Sequence, residues 1–407
     1  INAVSTLLFV TVIILLAIIN LRENHAEHHR NVHHESATFA PAPKKYPGLG
    51  KKIAAGAMAC VLLAVLIVTG AAARSERVVN VCSWGEYIDE SLITEFEEKT
   101  GIRVNYQTAE SNEALYSLLK TGAGDYDVIV PSDYMIARLI DEGMLAELNY
   151  DNIPNYEKIG EQYKSLSFDP ENKYTVPYTW GTLGIIYNST MVDGDIDSWD
   201  AMFDEKYAGN VLMIRNSRDA LAAALLDLGY DINTTDEAQI QEAYELLADA
   251  KSKGVYQSFV MDEVFGKMEG SNAAIAMYYA GDYLTMLDNN PDLKFVVPKE
   301  GSNWFVDAMC VLKTAQHKEE AEAWINFIAS TESNLANMDY IGYASPNLEA
   351  LEGYPAYYEE TYGEPLDEER YEIMAAPVDV LARCELYTNL PADTLTLYND
   401  LWTELGI

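Results

Sequence analysis

Between residues 77 and 142 the hydrophobic period switches repeatedly between two and 3.6, and that alternation narrows the folds open to this chain. Residues 77–84 (RVVNVCSW) read as a strand. Asp89 is placed to cap a helix whose apolar residues Leu92, Ile93 and Phe96 recur at helical spacing, and Gly101 ends it. Residues 102–108 read as a strand, 111–120 as a helix closed by Gly122, 126–132 (YDVIVPS) as a buried strand and 133–142 as a helix. This β-α-β-α-β succession predicts a parallel sheet covered by helices. In such sheets ligands settle beyond the carboxyl ends of the strands. Two of those ends are Cys82-Ser83-Trp84 and Val130-Pro131-Ser132.

The texture then changes. Residues 174–188 (YTVPYTWGTLGIIYN) read as extended, and helices follow near 218–228 and 237–253. Two more strand-like runs lie near 295–298 and 304–312, before an amphipathic helix at 318–329. No internal repeat is visible. At roughly 100–200 residues per domain, the 407 residues accommodate two to three folding units.

The N-terminal part is different in kind. Residues 1–21 and 53–73 carry no charge. At about 1.5 Å per residue each spans roughly 30 Å as a helix, the thickness of a bilayer core. The segment between them, 22–52, holds Arg22, Arg30, Lys44, Lys45, Lys51 and Lys52 against three glutamates. The positive-inside rule places it in the cytoplasm, and everything after residue 73 on the outer side. A signal peptide is the rival for the second stretch, with Lys51 and Lys52 as its basic start and Ala71 and Ala73 as a cleavage pattern. Its length and the preceding span favour a retained anchor. His25, His28, His29, His33 and His34 would bind a metal only if they folded together; a flexible linker ended by Ala40-Pro41-Ala42-Pro43 is the simpler reading, and no metal site is expected.

Charge excludes one class of function. The chain has 64 Asp and Glu against 27 Lys and Arg, a net charge of −37. Residues 1–77 carry eight basic and four acidic residues, which leaves 19 and 60 for the rest. So acidic a surface repels nucleic acid and suits a cationic ligand, although most of these carboxylates serve only to keep the domain solvated. Four cysteines (Cys60, Cys82, Cys310 and Cys384) lack metal-ligand spacing. The last three sit in apolar stretches and read as small hydrophobes, with a disulfide neither assigned nor excluded.

Catalytic signatures are scarce. No nucleophile elbow, phosphate-binding loop or HExxH motif occurs. His317, alone among histidines after residue 77, reads as a surface residue at a helix start. No enzymatic activity and no cofactor are expected; a carboxylate pair acting on a glycan is an unspecific alternative. The aromatic residues, 28 Tyr and 6 Trp, are more informative. Several neighbour glycines and acids, as in Trp84-Gly85-Glu86-Tyr87, Ser132-Asp133-Tyr134, Tyr278-Tyr279-Ala280-Gly281-Asp282, Trp304-Phe305-Val306-Asp307 and Gly342-Tyr343. An aromatic box with carboxylates at its ends suits an alkylammonium ion: methylenes stack on rings, and acids pair the ammonium groups. Any single ring here is more often core than ligand wall.

At these motifs the chain resembles the periplasmic spermidine/putrescine-binding proteins of ABC transporters. The resemblance runs from about residue 78 to the C-terminus. It rests on SWGEYID (83–89), ESNEALY (110–116), YDVIVPSDY (126–134), VPYTWGTLGIIYN (176–188), SWDAMFDEKYAGNV (198–211), YYAGDY (278–283), VPKEGSNWFVDAM (297–309) and IGYASPN (341–347), in matching order and spacing.

The resemblance implies a two-lobed α/β periplasmic-binding-protein fold of the Venus-flytrap, type II kind, preceded here by the two transmembrane helices. One lobe would comprise 78–182 and 306–351, the other 183–305 and 352–407. It implies a ligand site at Trp84, Tyr87, Ser132 and Tyr134, with Asp219, Asp307 and Tyr343. Tyr279 and Phe305 stand where the family has Trp. Asn216 falls where the spermidine-binding type has Asp, and Tyr387 stands at a Gln position, so the preferred polyamine is left open. Implied partners are an ABC permease, its ATPase and the membrane. Residues 1–21 also resemble the last membrane helix of the partner permease, around INAVSTLLFV, which suggests a fused protein whose upstream part is missing. Rival readings are a binder of another solute or a tethered ligand sensor. The box of acids without a binding arginine disfavours anionic ligands.

Overall fold

The structure, a computed structural model, describes residues 77–407. The expected membrane spans at 1–21 and 53–73, the linker at 22–52 with its histidines, and Cys60 lie outside the described residues. Among the described residues no helix is long and apolar enough to cross a membrane.

The first elements follow the hydrophobic alternation. β1 (Val78–Ser83), α1 (Ser91–Thr100), β2 (Arg103–Thr108), α2 (Asn112–Thr121), β3 (Val128–Ile129) and α3 (Asp133–Asp141) succeed one another. Gly101 and Gly122 end α1 and α2 with φ of 68° and 65°, the left-handed region glycine enters without a Cβ penalty. Ser111 caps α2 through Ala114 N. Asp89 does not cap α1 as expected: α1 starts two residues later, and Asp89 Oδ1 accepts from Ser91 N.

β4 (Thr175–Asn188) is the spine of the molecule, buried along all 14 residues. A strand covered on both faces needs no polar alternation, which explains why it carries no charged residue. Its first half pairs antiparallel with β9 (Ser302–Val311), from Thr175 opposite Cys310 to Thr182 opposite Trp304. Its second half pairs with β7 (Ile275–Tyr279) and β8 (Leu293–Val296). The strand order is β2-β1-β3-β9-β4-β7-β5-β6, with β5 (Val211–Ile214) and β6 (Tyr256–Val260) at the far end. β1 pairs parallel with β2 and β3, and β5 with β6 and β7. The expected parallel sheet is therefore a mixed one, because β9 enters antiparallel beside β3. β3 is shorter than its apolar run, since only Val128 and Ile129 find ladder partners on β9.

Helices cover both groups of strands. α4 (Ser217–Asp227), α5 (Glu237–Ser252), α6 (Glu263–Glu269) and α7 (Ala280–Asn289) surround the second group. α8 (Lys318–Ile328) and α9 (Thr331–Ile341) return to the first, where Trp324 meets Phe96 edge-on at 5.1 Å between centroids. Burying each such ring contributes about 1.5–3 kcal/mol. The chain ends in α10 (Leu348–Tyr362), α11 (Glu368–Met374), α12 (Val378–Leu381), β10 (Cys384–Glu385) and α13 (Ala392–Leu405). The result is two α/β lobes with β4 and β9 passing between them.

Cys82, Cys310 and Cys384 are free and buried. His317 stands at the start of α8 as expected, its side chain 35% exposed; its Nδ1 lies 3.0 Å from Oδ2 of the buried Asp127, whose Oδ1 accepts the His317 backbone N–H.

Candidate functional site

The ends of the strands position the site. The loop after β1 carries Trp84 and Tyr87. The turn from β3 into α3 carries Ser132 and Tyr134. The turn from β5 into α4 carries Asn216 and Asp219. β7 ends on Tyr279, and β9 brings Phe305 and Asp307 across the middle. Tyr343 follows Gly342, whose φ of 74° turns the chain out of α9, and Tyr387 follows β10. All 11 residues singled out from the sequence line one cavity of about 360 Å3 between the lobes.

A bulge at Tyr178 sets the inner wall. Pro177 cannot donate to the ladder, and the β4–β9 register slips between Pro177 and Thr179. Thr179 then faces Asp307 on β9, and its hydroxyl meets the Tyr87 hydroxyl. Asp307 Oδ2 accepts from Trp84 Nε1 and from the Tyr87 hydroxyl, each at 3.0 Å. Its Oδ1 is buried with no partner. Burial pushes the Asp307 carboxyl up to about 6, against the pull of these donors.

Asp219 occupies the third position of α4. Asn216, not Asp219, caps this helix, its Oδ1 accepting from Arg218 N at 3.0 Å and Asp219 N at 3.4 Å. The Asp219 carboxylate is therefore free to accept from the Tyr279 hydroxyl at 2.7 Å and the Tyr387 hydroxyl at 3.0 Å. Burial raises it to about 6. Behind it the guanidinium of buried Arg218 lies over the Tyr387 ring at 4.6 Å and the Tyr134 ring at 5.2 Å.

A further buried carboxylate, Asp282, stands in the YYAGDY motif but outside the expected site residues. It occupies the third position of α7, as Asp219 does in α4, and accepts from the Tyr343 hydroxyl at 2.8 Å. Burial raises it to about 8, and the nearby charges of Asp262 and Glu86 add to this. The rings of Tyr343 and Tyr87 meet edge-on at 5.3 Å, as do Phe305 and Tyr279 at 5.4 Å. Ser132 is held by Asn112, which accepts its backbone N–H and donates to its hydroxyl.

Sequence reasoning also missed Asp133, Asp262, Glu110, Glu263 and Arg215, all of which line the cavity. Arg215 corrects the expectation of a site without arginine. The signal available for it was its place directly before Asn216. For Asp282 the signal was a carboxylate two residues into a helix that starts at a strand end.

Seven carboxylates thus face a cavity walled by aromatic rings. Three of them, Asp219, Asp282 and Asp307, are held by neutral phenols and one indole. Such donors orient a carboxylate without cancelling its charge, and an unpaired buried charge is costly.

Known proteins agree with this geometry. Residues 91–362 match the family described as bacterial extracellular solute-binding protein. The spermidine/putrescine-binding periplasmic protein of Salmonella typhimurium is 33% identical over 300 residues, which are 73% of this chain and 84% of that protein. The putrescine-binding periplasmic protein SpuD of Pseudomonas aeruginosa is 29% identical, covering 82% of this chain and 93% of its own. Among solved structures, the spermidine/putrescine ABC transporter substrate-binding protein PotD of Streptococcus pneumoniae, in complex with calcium and HEPES, superposes with a TM-score of 0.66. It is 36% identical, over 81% of this chain and 98% of that one. The chain belongs to the bacterial extracellular solute-binding protein family.

Proposed function

We propose that this chain is the extracytoplasmic polyamine-binding component of an ABC importer, with a ligand of the putrescine/spermidine class. The observation that carries the reading is the trio of buried carboxylates, Asp219, Asp282 and Asp307, each held only by neutral donors inside an aromatic wall. Ammonium groups pair the acids, and the methylenes between them lie against Trp84, Tyr279, Phe305 and Tyr343. The names of the relatives point to the same ligands. The chain binds and releases its ligand without turning it over.

The two lobes are 78–182 with 306–351, and 183–305 with 352–407. This division is supported by β4, which exchanges β9 for β7 as its partner at Thr182 and Leu183. The loaded protein delivers ligand to a permease and its ATPase. Residues 1–21 and 53–73 tether it to the membrane, as the two uncharged stretches around a basic linker suggest.

Thermal unfolding of the chain with putrescine, cadaverine, spermidine and spermine tests the ligand class, because selective binding to the native state raises its stability. A rise in midpoint with polyamines, and none with maltose or glutamate, is the expected result. No shift with any polyamine at millimolar concentration rejects the reading.

A further inference from the structure

The cavity has a deep end and a mouth, and they differ in charge. Asp219 and Asp307 are each 3% exposed. Glu110 and Glu263, by contrast, have side chains 79% and 60% exposed, and between them stands Arg215 at 39%. Arg215 is the sole basic side chain among the described residues lining the cavity. It directly follows β5, and its backbone N–H is pinned to Val260 O at 2.8 Å. Its guanidinium reaches across from the second lobe to Glu110 of the first at 3.5 Å, and to Glu263 at 4.0 Å. Both separations are loose, so neither glutamate engages it as a tight bidentate pair.

From this placement we infer that Arg215 sets the length of ligand the site accepts, favouring two-ammonium polyamines over three-ammonium ones. The inference rests on the polyamine reading above and adds a residue that sorts polyamines. A short diamine pairs two of the three buried carboxylates, Asp219, Asp282 and Asp307, and ends before the mouth. A longer polyamine carries a further ammonium towards the mouth, where it meets a fixed positive charge. That ammonium must either stay close to Arg215 or displace it from Glu110 and Glu263. Like charges brought together in a partly buried site disfavour the wrong ligand, which is how specificity is built by repulsion. An arginine suits this role because it keeps its charge across the physiological range.

Calorimetry on the full chain with putrescine and with spermidine tests the proposal, using the parent, Arg215→Gln and Arg215→Lys. The measured quantity is the ratio of the two dissociation constants. Arg215→Gln removes the charge and keeps a polar side chain, and should move the ratio towards spermidine by about fivefold to tenfold. Arg215→Lys keeps the charge and should retain the parent ratio. The shift should also shrink at high salt, as expected for a partly exposed charge. A ratio within about twofold of the parent for Arg215→Gln overturns the inference, as does an Arg215→Lys ratio that moves as far as that of Arg215→Gln. Those results leave the polyamine reading standing. A parent that binds neither ligand overturns both.

Discussion

Trp84 Nε1 donates to Asp307 Oδ2 at 3.0 Å, tying the loop after β1 to the middle of β9. The Tyr87 hydroxyl donates to the same oxygen, while Oδ1 is buried without a partner. One oxygen of Asp307 is thus committed to shaping the site, and the other has no partner of its own. Asp307→Asn keeps the volume and removes the charge. Losing one partner of a buried charge pair typically costs about 2–5 kcal/mol, or roughly 30- to 5,000-fold in Kd. Calorimetry with putrescine should show a loss in that range. Parent-like affinity in a folded Asp307→Asn protein would reject both this role and the polyamine reading that depends on it.

Trp84→Ala removes a ring face and one donor but no charge. We expect a smaller loss, about 1–2 kcal/mol, from cation–π and apolar contact. Trp84→Phe, which keeps a ring, should recover part of it. If Trp84→Ala weakens binding as much as Asp307→Asn does, the ring is not a simple wall and the indole–carboxylate bond dominates.

The raised carboxyls make both binding and stability depend on pH. Asp219 and Asp307 sit near 6 and Asp282 near 8, all lifted by burial from ordinary values near 4. Between those limits the ligand-free fold holds more protons than the unfolded chain. Their contribution to stability is therefore fully present below about pH 4 and is lost as pH rises through 6 and then 8. Ammonium ligands need the ionised form, so ligand binding releases protons and tightens over the same range. The stabilisation added by putrescine should grow from pH 5 to pH 8, while the ligand-free protein loses stability from these groups. Proton release, measured by calorimetry in buffers of different ionisation enthalpy at pH 6, should be positive. A zero value there contradicts the assignment.

Asn216 caps α4 and lines the cavity at once. Aspartate caps a helix as well as asparagine does, and its charge suits a helix N-terminus. Asn216→Asp should therefore fold normally and add a carboxylate beside Asp219. The extra charge favours the ligand with more ammonium groups, so spermidine should gain more than putrescine. Equal changes for both ligands in calorimetry would show that position 216 acts only as a cap.

How far the sequence reaches depends on whether the deciding interaction is local. The ends of α1 and α2 are legible because Gly101 and Gly122 supply left-handed turns within their own segments. β4 is legible because a strand buried on both faces carries no charged residue along its 14 positions. The length of β3 is not, since it depends on a ladder with Val311 and Cys310 far along the chain. The partner of His317 is hidden for the same reason: Asp127 lies 190 residues away. The 11 expected site residues come from the resemblance to the spermidine/putrescine-binding proteins, not from local pattern, and the structure brings all of them to one cavity. Asp282 was missed because a carboxylate in a helix's first turn either caps that helix or faces the cleft. At Asp219 the choice is made by Asn216, which takes the capping role.

The close approach of α7 to Tyr343 requires a glycine at position 281. A Cβ on Gly281, the second residue of α7, would lie 2.3 Å from Cδ2 of Tyr343 and 2.4 Å from its Cε2. The ring has little room to retreat. Its hydroxyl is bound to Asp282 at 2.8 Å, and Tyr87 packs on it at 5.3 Å. Gly281→Ala should therefore disturb the cavity wall, with an overpacking penalty of about 1–3 kcal/mol. The helix itself should gain, because alanine is favoured over glycine there by roughly 0.5–1 kcal/mol. The two effects separate experimentally. Putrescine binding should weaken by about tenfold or more, which is about 1.4 kcal/mol, while the ligand-free unfolding midpoint moves much less. Gly266→Ala in α6 is the control, since no atom lies within 4 Å of its added Cβ. That variant should keep parent affinity. If Gly281→Ala also keeps it, the contact between α7 and Tyr343 does not shape the ligand-bound state.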